Sequence, residues 1–449
     1  MSLKDVTDKN FKGIKRAEVN KVTSMDEWVG VGAENIRSDH YELSGSFSTS
    51  PSSFTEYDYQ REIRPYFGKD GLNEHSLGTH PELLELDKVG ATHKQYIVTM
   101  FIDIRKSSRL TLLLPLEQAY LVKNRILQAC IDIVRSLDGY PHRLMGDALM
   151  AFFGRSDVSK EDAIADAINA ASTLRLVLMD YIFPSLNEDI GEEIDLGVRI
   201  GLDYGSEEEV IWGNFGLGTS CEVTALGLPV DMTAKLQQLA DKNTAMLGQG
   251  ILDYIDFPED YTKIKVRGEQ TLDFILPNIT NKEGKPIDRR IRLLKMKEYQ
   301  DLLPFKLNDK KMASAVLHPS NFKFECFFLE GDKEVEYKSV SHFLSKRLSL
   351  IFKLTIFPGL GDLNVQFRKR NHGEEAKGDV YESYKVRISN DELYNVENSS
   401  HLSLEKKHEC VVLILPEGTS FRGLHTMEVV VKGERHAIYY RNIIGVYIK

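Results

Sequence analysis

The 449-residue sequence lacks long apolar segments and has little cysteine. No apolar run approaches the roughly 20 residues that a membrane-spanning helix needs, and the opening residues MSLKDVTDKNFKG carry charge where a signal peptide has an apolar centre. The cysteines, at positions 130, 221, 326 and 410, are too far apart in sequence for a CxxC metal pair or a disulfide framework. We therefore expect a cytoplasmic protein without a stable membrane partner.

An overall excess of positive charge is also missing. The chain has 57 Lys and Arg against 67 Asp and Glu, a formal net charge of −10, which argues against nucleic-acid binding through a globally basic surface. Its 42% hydrophobic and 28% charged residues are ordinary for a soluble globular protein. Because 449 residues exceed one ordinary hydrophobic core, we expect two domains joined by linkers.

The segment YIVTMFIDIR, residues 96–105, predicts a buried central strand, because apolar or β-branched residues run from Ile97 to Ile102 and end at Asp103. A second carboxylate, Asp147, lies at the tip of HRLMGDALMAFFG, which predicts two short strands around a Gly-Asp turn. Each feature alone is also typical of a helix cap or a simple turn. If the tip lies beside the strand end, however, the two aspartates can share divalent cations.

Four segments follow from the patterning. Residues 1–88 include the Ser/Thr-rich stretch SGSFSTSPSSFTEYDYQ and predict a partly flexible extension. Residues 89–277 predict the order strand, helix, hairpin, helix, strand, hairpin, helix, strands, which is an α/β sandwich with a mainly antiparallel sheet. Residues 278–311 contain RRIRLLKMKEYQDLL and predict a linker with a bridging helix, and residues 312–449 predict a separate β-sandwich with a sensor-like role.

The motifs FIDIR, HRLMGDALMAFFG, VRIGLDYG, PVDMTAK and KVRGEQTLDF stand in the order, and near the spacing, of class III nucleotidyl cyclase catalytic domains. Residues 91–277 resemble that family. The resemblance implies a ferredoxin-type α/β sandwich that forms a homodimer with two shared active sites. It also implies cyclisation of a nucleoside triphosphate, in which the ribose 3′-hydroxyl attacks the α-phosphate and diphosphate leaves.

The resemblance assigns a role to several residues near the first strand. Asp103, Asp147 and the carbonyl of Ile104 correspond to the ligands of two metal ions, and such hard oxygen ligands suit Mn²⁺ or Mg²⁺. The amides of RKSSRL, around Arg105 and Ser107, are expected to hold phosphate oxygens at a helix start.

Three further positions are carried over with departures. Arg267 stands where the family has a lysine that grips the terminal phosphates. Lys235 replaces an arginine that faces the α-phosphate, which keeps the charge but loses the planar fork. Asp231 replaces an asparagine that orients the ribose, which keeps an acceptor but loses a donor. These departures leave open a catalytically silent, dimeric nucleotide-binding sensor.

The base-reading positions correspond to Arg143 and Thr224, the latter expected to reach across from the other subunit. Arginine only donates, so it cannot accept a proton from the adenine amino group, but it can donate to uracil, cytosine or guanine. Threonine can donate or accept a hydrogen bond, so it does not distinguish among the bases.

With Arg143 and Thr224 at the base-reading positions and a β-rich C-terminal segment, the chain resembles the pyrimidine nucleotide cyclases of bacterial Pycsar anti-phage systems. In those systems the product is read by a separate effector protein. We predict conversion of UTP to 3′,5′-cyclic UMP and diphosphate, as a second messenger in anti-phage defence. Cytidylate cyclase is the near alternative, and guanylate or adenylate cyclase a more distant one.

Overall fold

The computed structural model describes residues 2–12, 55–191, 193–276, 279–305, 316–376, 380–389, 392–397, 401–407 and 410–449. Most of the Ser/Thr-rich stretch in the predicted extension, up to residue 54, lies outside these ranges. So do residues 306–315, which include the end of the predicted linker. Within the described ranges, no helix is both long enough and apolar enough to cross a membrane.

The first part of the chain combines helices and strands. Its elements are α1 (Leu3–Phe11), α2 (Asp58–Ile63), β1 (Thr92–Lys94), β2 (Ile97–Arg105), α3 (Ser108–Leu113), α4 (Leu116–Ser136), β3 (Tyr140–Met145), β4 (Ala148–Phe153), α5 (Lys160–Val177), α6 (Phe183–Ile190), β5 (Gly197–Gly205), β6 (Ile211–Leu217), β7 (Ser220–Leu226), α7 (Leu228–Leu239), β8 (Thr244–Gly248), α8 (Gln249–Tyr254), β9 (Thr262–Lys263), β10 (Lys265–Arg267), β11 (Gln270–Leu272), β12 (Phe274–Ile275), β13 (Arg289–Leu294) and α9 (Met296–Gln300). We call β1 to α9 the α/β domain.

The second part is built from strands. They are β14 (Phe322–Glu330), β15 (Lys333–Tyr337), β16 (Phe343–Leu344), β17 (Ser349–Ile356), β18 (Leu363–Asn371), β19 (Val380–Ser389), β20 (Glu392–Glu397), β21 (Ser403–Lys407), β22 (Cys410–Gly418), β23 (Gly423–Lys432) and β24 (Ile438–Ile448). One sheet has the order β15-β14-β17-β22-β21 and the other β16-β24-β23-β18-β19-β20. Buried residues from both sheets, such as Phe352 and Val429, share one core, so this part is the predicted β-sandwich.

The α/β domain is organised around β2. This strand pairs antiparallel with β4 on one side and β5 on the other, within a sheet of order β12-β13-β8-β5-β2-β4-β3. Only the β5–β8 pair is parallel among the neighbours in this order. Helices α4 and α5 contribute to the large core on one face of the sheet, while α7 packs on the other. The predicted mixed α/β fold with a mainly antiparallel sheet is therefore confirmed.

The approach of α7 to the sheet depends on Gly201 in β5. A Cβ atom at this position would lie 2.4 Å from the carbonyl oxygen of Thr233 and 2.5 Å from the amide nitrogen of Gln237. Only glycine allows this separation between strand and helix. Since residues 199, 201 and 203 alternate with the core residues Val198, Ile200 and Leu202, α7 covers the sheet face that carries Arg199.

The helix expected over RRIRLLKMKEYQDLL is a wrong prediction. Residues Arg289–Leu294 form β13, which pairs antiparallel with β8 through Ile291 opposite Gly248 and Leu293 opposite Met246. The alternation of buried Ile291 and Leu293 with arginines has the period of a strand. Only Met296–Gln300 is helical, so the segment extends the α/β sheet before the chain leaves it.

The described part of the N-terminal extension differs from the flexible, surface-draped segment that its composition predicts. Leu3, Val6 and Phe11 of α1, with Tyr59 and Ile63 of α2, are at most 1% exposed and join the core of the α/β domain. The apolar spacing in α1 was too short to stand out from its charged neighbours. These two helices are thus part of the folded unit.

Candidate active site

The two candidate metal aspartates lie side by side. Asp103 in β2 stands opposite Ala148 of β4, and Asp147 directly precedes Ala148 in the turn that joins β3 and β4. Gly146 adopts a positive φ of 67°, which allows the tight turn. The antiparallel register therefore brings the hairpin tip beside the strand end, together with the adjacent carbonyl of Ile104.

Asp103 is held by two side chains that the sequence analysis did not single out. Arg199, opposite Asp103 in the β2–β5 ladder, donates to Oδ2 from Nε at 3.0 Å and also from Nη2. Gln237 of α7 donates to the same oxygen from Nε2 at 3.2 Å. The sequence predicts VRIGLDYG as a strand, but only the register of the β2–β5 pair shows that Arg199 is opposite Asp103. Both contacts fix the carboxylate, and Arg199 balances its charge.

Asp147 is oriented by Ser107. The buried hydroxyl of Ser107 donates to Oδ2 of Asp147, at the start of the short helix α3. Ile104, Ser107, Asp147 and Lys123 of α4 line one narrow crevice together with Leu110, Ile126 and Leu127. Ser107 therefore contacts a carboxylate in this structure, while Arg105 is the exposed last residue of β2.

The donor set fits a divalent cation that keeps part of its coordination for substrate and water. Across the described ranges, no group of three or more His, Cys, Asp or Glu side chains is placed to hold a metal ion. Two carboxylates and a backbone carbonyl form an all-oxygen set, and Mg²⁺ is usually held by one or two carboxylates together with substrate phosphates. Mn²⁺ accepts the same ligands.

Asp231 and Lys235 lie on the exposed side of α7, one turn apart, while Met232 and Leu236 are buried beneath them. Residues two apart in a helix differ in direction by about 200°, so Lys235 points away from Asp103, which Gln237 contacts. Arg267 is exposed at the end of β10. Among the described residues, none of these three side chains has a hydrogen bond or ion pair, and Asp103 and Asp147 are held by other side chains.

Arg143 and Thr224 lie at one corner of the domain and belong to the same chain, so the prediction that Thr224 reaches across to Arg143 from the other subunit is wrong. Arg143 in β3 forms an ion pair with Glu222 in β7. Its neighbour His142 contacts the Thr224 hydroxyl through Nε2 at 2.9 Å. Sequence analysis missed His142 and Glu222, although Glu222 precedes Thr224 by two residues and so shares its strand face.

The buried ring of His142 is also tied to the N-terminal extension. Nδ1 lies 2.8 Å from the carbonyl oxygen of Gly78, and the Gly78 amide donates to the Pro141 carbonyl at 3.2 Å. Burial lowers the pKa of His142, and Arg143 lowers it further, against the opposing effects of the Gly78 carbonyl and Glu222. The ring is therefore neutral near pH 7.

Comparisons with known proteins give matches over the C-terminal region and over the whole chain. Residues 305–449 match the family AGS_C, the Adenylyl/Guanylyl and SMODS C-terminal sensor domain. An Escherichia coli protein named cytidylate cyclase is 70% identical and is aligned over 100% of both chains. A Staphylococcus aureus protein of the same name is 32% identical over 71% of this chain and 75% of its own.

Among solved structures, the adenylyl cyclase CyaB from P. aeruginosa is 18% identical, with a TM-score of 0.36, over 45% of this chain and 95% of its own. The predicted resemblance to nucleotide cyclases and the predicted enzyme class are both confirmed by the relatives. Because the E. coli relative matches the chain from end to end at 70% identity, this chain belongs to its family and is a nucleotide cyclase.

Proposed function

We propose that this nucleotide cyclase converts CTP to 3′,5′-cyclic CMP and diphosphate. The observation that carries this proposal is the end-to-end match to a protein named cytidylate cyclase, and two more distant relatives bear the same name. Arg143 supports a pyrimidine, because its guanidinium donates only and cannot accept from the adenine amino group.

UTP is the second candidate substrate. The sequence analysis preferred it because Arg143 can donate to uracil O4 or O2, whereas the cytosine amino group calls for an acceptor. That preference considered the hydrogen-bonding groups of Arg143 alone, without those of the residues beside it. The preference for cyclic UMP stays a prediction, and the names of the relatives favour CTP.

In this proposal Asp103, Asp147 and the Ile104 carbonyl would hold two Mg²⁺ or Mn²⁺ ions. Such ions would supply a lower pKa for the ribose 3′-hydroxyl and neutralisation of charge on the α-phosphate and the leaving diphosphate. Arg199 and Gln237 keep Asp103 in position through their bonds to Oδ2, and Ser107 does the same for Asp147.

The active unit is a homodimer with shared sites. Asp231, Lys235 and the Arg143–Thr224 corner act on a nucleotide whose phosphates lie at the partner's aspartates, and Arg267 and Arg105 bind terminal phosphate oxygens. Exposed apolar side chains support such an association: Leu112 is 83% exposed, Leu217 85% and Tyr120 70%. Exposed apolar side chains of this kind are typical of an interface.

The biological role follows the resemblance to the Pycsar systems. The cyclic pyrimidine nucleotide is a second messenger in anti-phage defence, produced in the cytoplasm and read by a separate effector protein. The β-sandwich domain acts as the sensor, which agrees with the description of the family matched by residues 305–449. Tyr299 of α9 links the two domains, because its hydroxyl bonds to Asn169 of α5 and to Tyr447 of β24, at 2.8 Å each.

The direct test incubates the purified protein separately with ATP, GTP, CTP and UTP in the presence of Mn²⁺, and identifies each product by mass spectrometry. We expect cyclic CMP and diphosphate as the main products, and none from an Asp103→Asn control. Cyclic AMP as the main product would overturn the pyrimidine proposal. Nucleotide binding without any cyclic product would favour the silent sensor instead.

A further inference from the structure

We propose that cytosine is selected by a four-residue corner in which Glu222 and Thr224 accept from the 4-amino group and Arg143 donates to N3 and O2. His142 is a positioning residue that makes the Thr224 hydroxyl an acceptor. This inference rests on the proposed function, and it assigns a role to two residues, Glu222 and His142, outside the resemblance to the cyclase family.

A β-bulge brings His142 and Arg143 to the same side of β3. In the β3–β4 ladder Pro141 is opposite Ala151 while Arg143 is opposite Met150, so one extra residue is inserted between them. Such a bulge bends the strand and changes the direction of the side chains next to it. As a result, consecutive residues can both contact β7: His142 reaches Thr224, and Arg143 reaches Glu222.

The β7 side of the corner has strict alternation. Val223 and Ala225 are buried, whereas Glu222 and Thr224 point outward on the same strand face. Glu222 has a side chain 52% exposed and its partner Arg143 one 38% exposed, so both can meet a base without first leaving a buried position. A nucleobase placed here meets donors from β3 and acceptors from β7.

The direction of the hydrogen bonds at His142 can be deduced from its partners. The Gly78 carbonyl can only accept, so Nδ1 of His142 carries the proton. In the neutral ring Nε2 is then an acceptor, and it must receive the single hydroxyl proton of Thr224. Thr224 therefore presents only lone pairs to a ligand, which removes the ambiguity that the residue has by itself.

The resulting pattern matches cytosine better than uracil. The cytosine 4-amino group has two protons, one for the Glu222 carboxylate and one for the Thr224 oxygen, and N3 and O2 accept from Arg143. Uracil has a carbonyl oxygen in place of the amino group, so the Glu222 carboxylate and the Thr224 oxygen, both acceptors, would face a third acceptor. Unpaired polar groups of this kind are the strongest source of discrimination in binding sites.

The inference is tested by the ratio of kcat/KM for CTP to kcat/KM for UTP, measured with the full-length protein and Mn²⁺. Glu222→Gln introduces an amide that can donate to uracil O4, and we expect the ratio to fall roughly 10-fold to 100-fold. Thr224→Val removes the second acceptor and lowers the ratio in the same direction. Thr224→Ser, which keeps the hydroxyl and its bond to His142, retains the ratio.

His142→Phe tests the positioning role, because it removes the acceptor for the Thr224 proton and frees that proton for uracil O4. We expect a lower CTP/UTP ratio with cyclic UMP formation retained. Glu208→Gln is the matched control for Glu222→Gln, because Glu208 is an exposed glutamate in the loop before β6. If His142→Phe is unstable in a thermal melt, Glu222→Gln and Thr224→Val still decide the proposal.

The outcomes separate the two proposals. A wild-type preference for CTP that neither Glu222→Gln nor Thr224→Val changes overturns the corner and leaves the cytidylate cyclase proposal standing. A wild-type preference for UTP overturns both. A ratio that falls in Glu222→Gln and Thr224→Val, but not in Thr224→Ser or Glu208→Gln, supports the corner.

Discussion

The metal end of the α/β domain and the base-reading corner use opposite means to control polar groups. At Asp103 the control is electrostatic, since a carboxylate is held by the charged Arg199 and the amide of Gln237. At Thr224 it is the placement of one proton, set by a neutral histidine and a backbone carbonyl. In the proposed function the metal end would serve any nucleoside triphosphate, whereas the corner would distinguish bases. Substitutions in the two regions should therefore affect different quantities.

The largest effect is expected at the metal end. Asp103→Asn or Asp147→Asn removes an anionic oxygen ligand, and we expect turnover of CTP and UTP to fall together by about 10³-fold or more, the several kcal/mol that a catalytic metal supplies. Cyclic products are quantified by mass spectrometry, with Asp332→Asn, an exposed turn residue of the β-sandwich domain, as the control. Unchanged cyclisation in either variant would refute the metal assignment.

A second prediction concerns the shared site. Lys235→Ala should lower kcat by about 10²-fold to 10³-fold, because a charge that stabilises the transition state is lost, and Lys235→Arg should restore it. Mixing Asp103→Asn with Lys235→Ala protomers gives heterodimers with one intact site. Random mixing should recover about one quarter of the wild-type rate. A mixture no more active than its components would contradict a site formed by two subunits.

Loss of a hydrogen bond that holds Asp103 should have a smaller effect. Gln237→Leu removes one hydrogen bond to Oδ2, and we expect the Mn²⁺ concentration for half-maximal rate to rise about tenfold, as is common when a residue that orients a metal ligand is lost. The CTP/UTP ratio should not move, since the base-reading corner is untouched. A change in that ratio would show that the two regions are not independent.

The smallest effect is expected from pH. Burial lowers the pKa of His142 below 6.5, so the ring is neutral at pH 7 and gains a proton only in more acidic solution. Protonated Nε2 donates to Thr224, whose own proton can then reach uracil O4, and the CTP/UTP ratio should fall by a factor of a few as pH drops below 6. Arg143, Glu222 and the Gly78 carbonyl also face this ring. If Thr224→Val retains the full pH effect, His142 is not its cause.

The proximity of the two candidate metal aspartates could be predicted from the sequence, because Asp103 and Asp147 stand at easily recognised positions, a strand end and a turn, on strands that pair with each other. Arg199 could be placed only with the register of the β2–β5 pair. The positions of Glu222 and His142 depend on a bulge in β3 and on the β6–β7 hairpin folding back over β3. No local sequence pattern predicts either feature. Uracil and cytosine could not be separated while the proton of Thr224 was unassigned.

In the C-terminal half, too, some elements could be predicted from the sequence and others depended on tertiary pairing. Alternating β-rich runs predicted the sandwich, and the structure has it. The run RRIRLL was misassigned because its charges and the following KMKEYQDLL favoured a helix, whereas burial against β8 makes it a strand. Tertiary pairing overrides local propensity in such a short segment.

The central claim is that the aspartates determine the reaction and the corner determines the base. The most direct measurement is kcat/KM for CTP and for UTP in the wild-type protein, Asp103→Asn and Glu222→Gln. We predict that Asp103→Asn loses both activities together, while Glu222→Gln keeps cyclising and shifts its preference toward UTP. Equal loss of both activities in Glu222→Gln, or a changed preference with retained turnover in Asp103→Asn, would contradict the account.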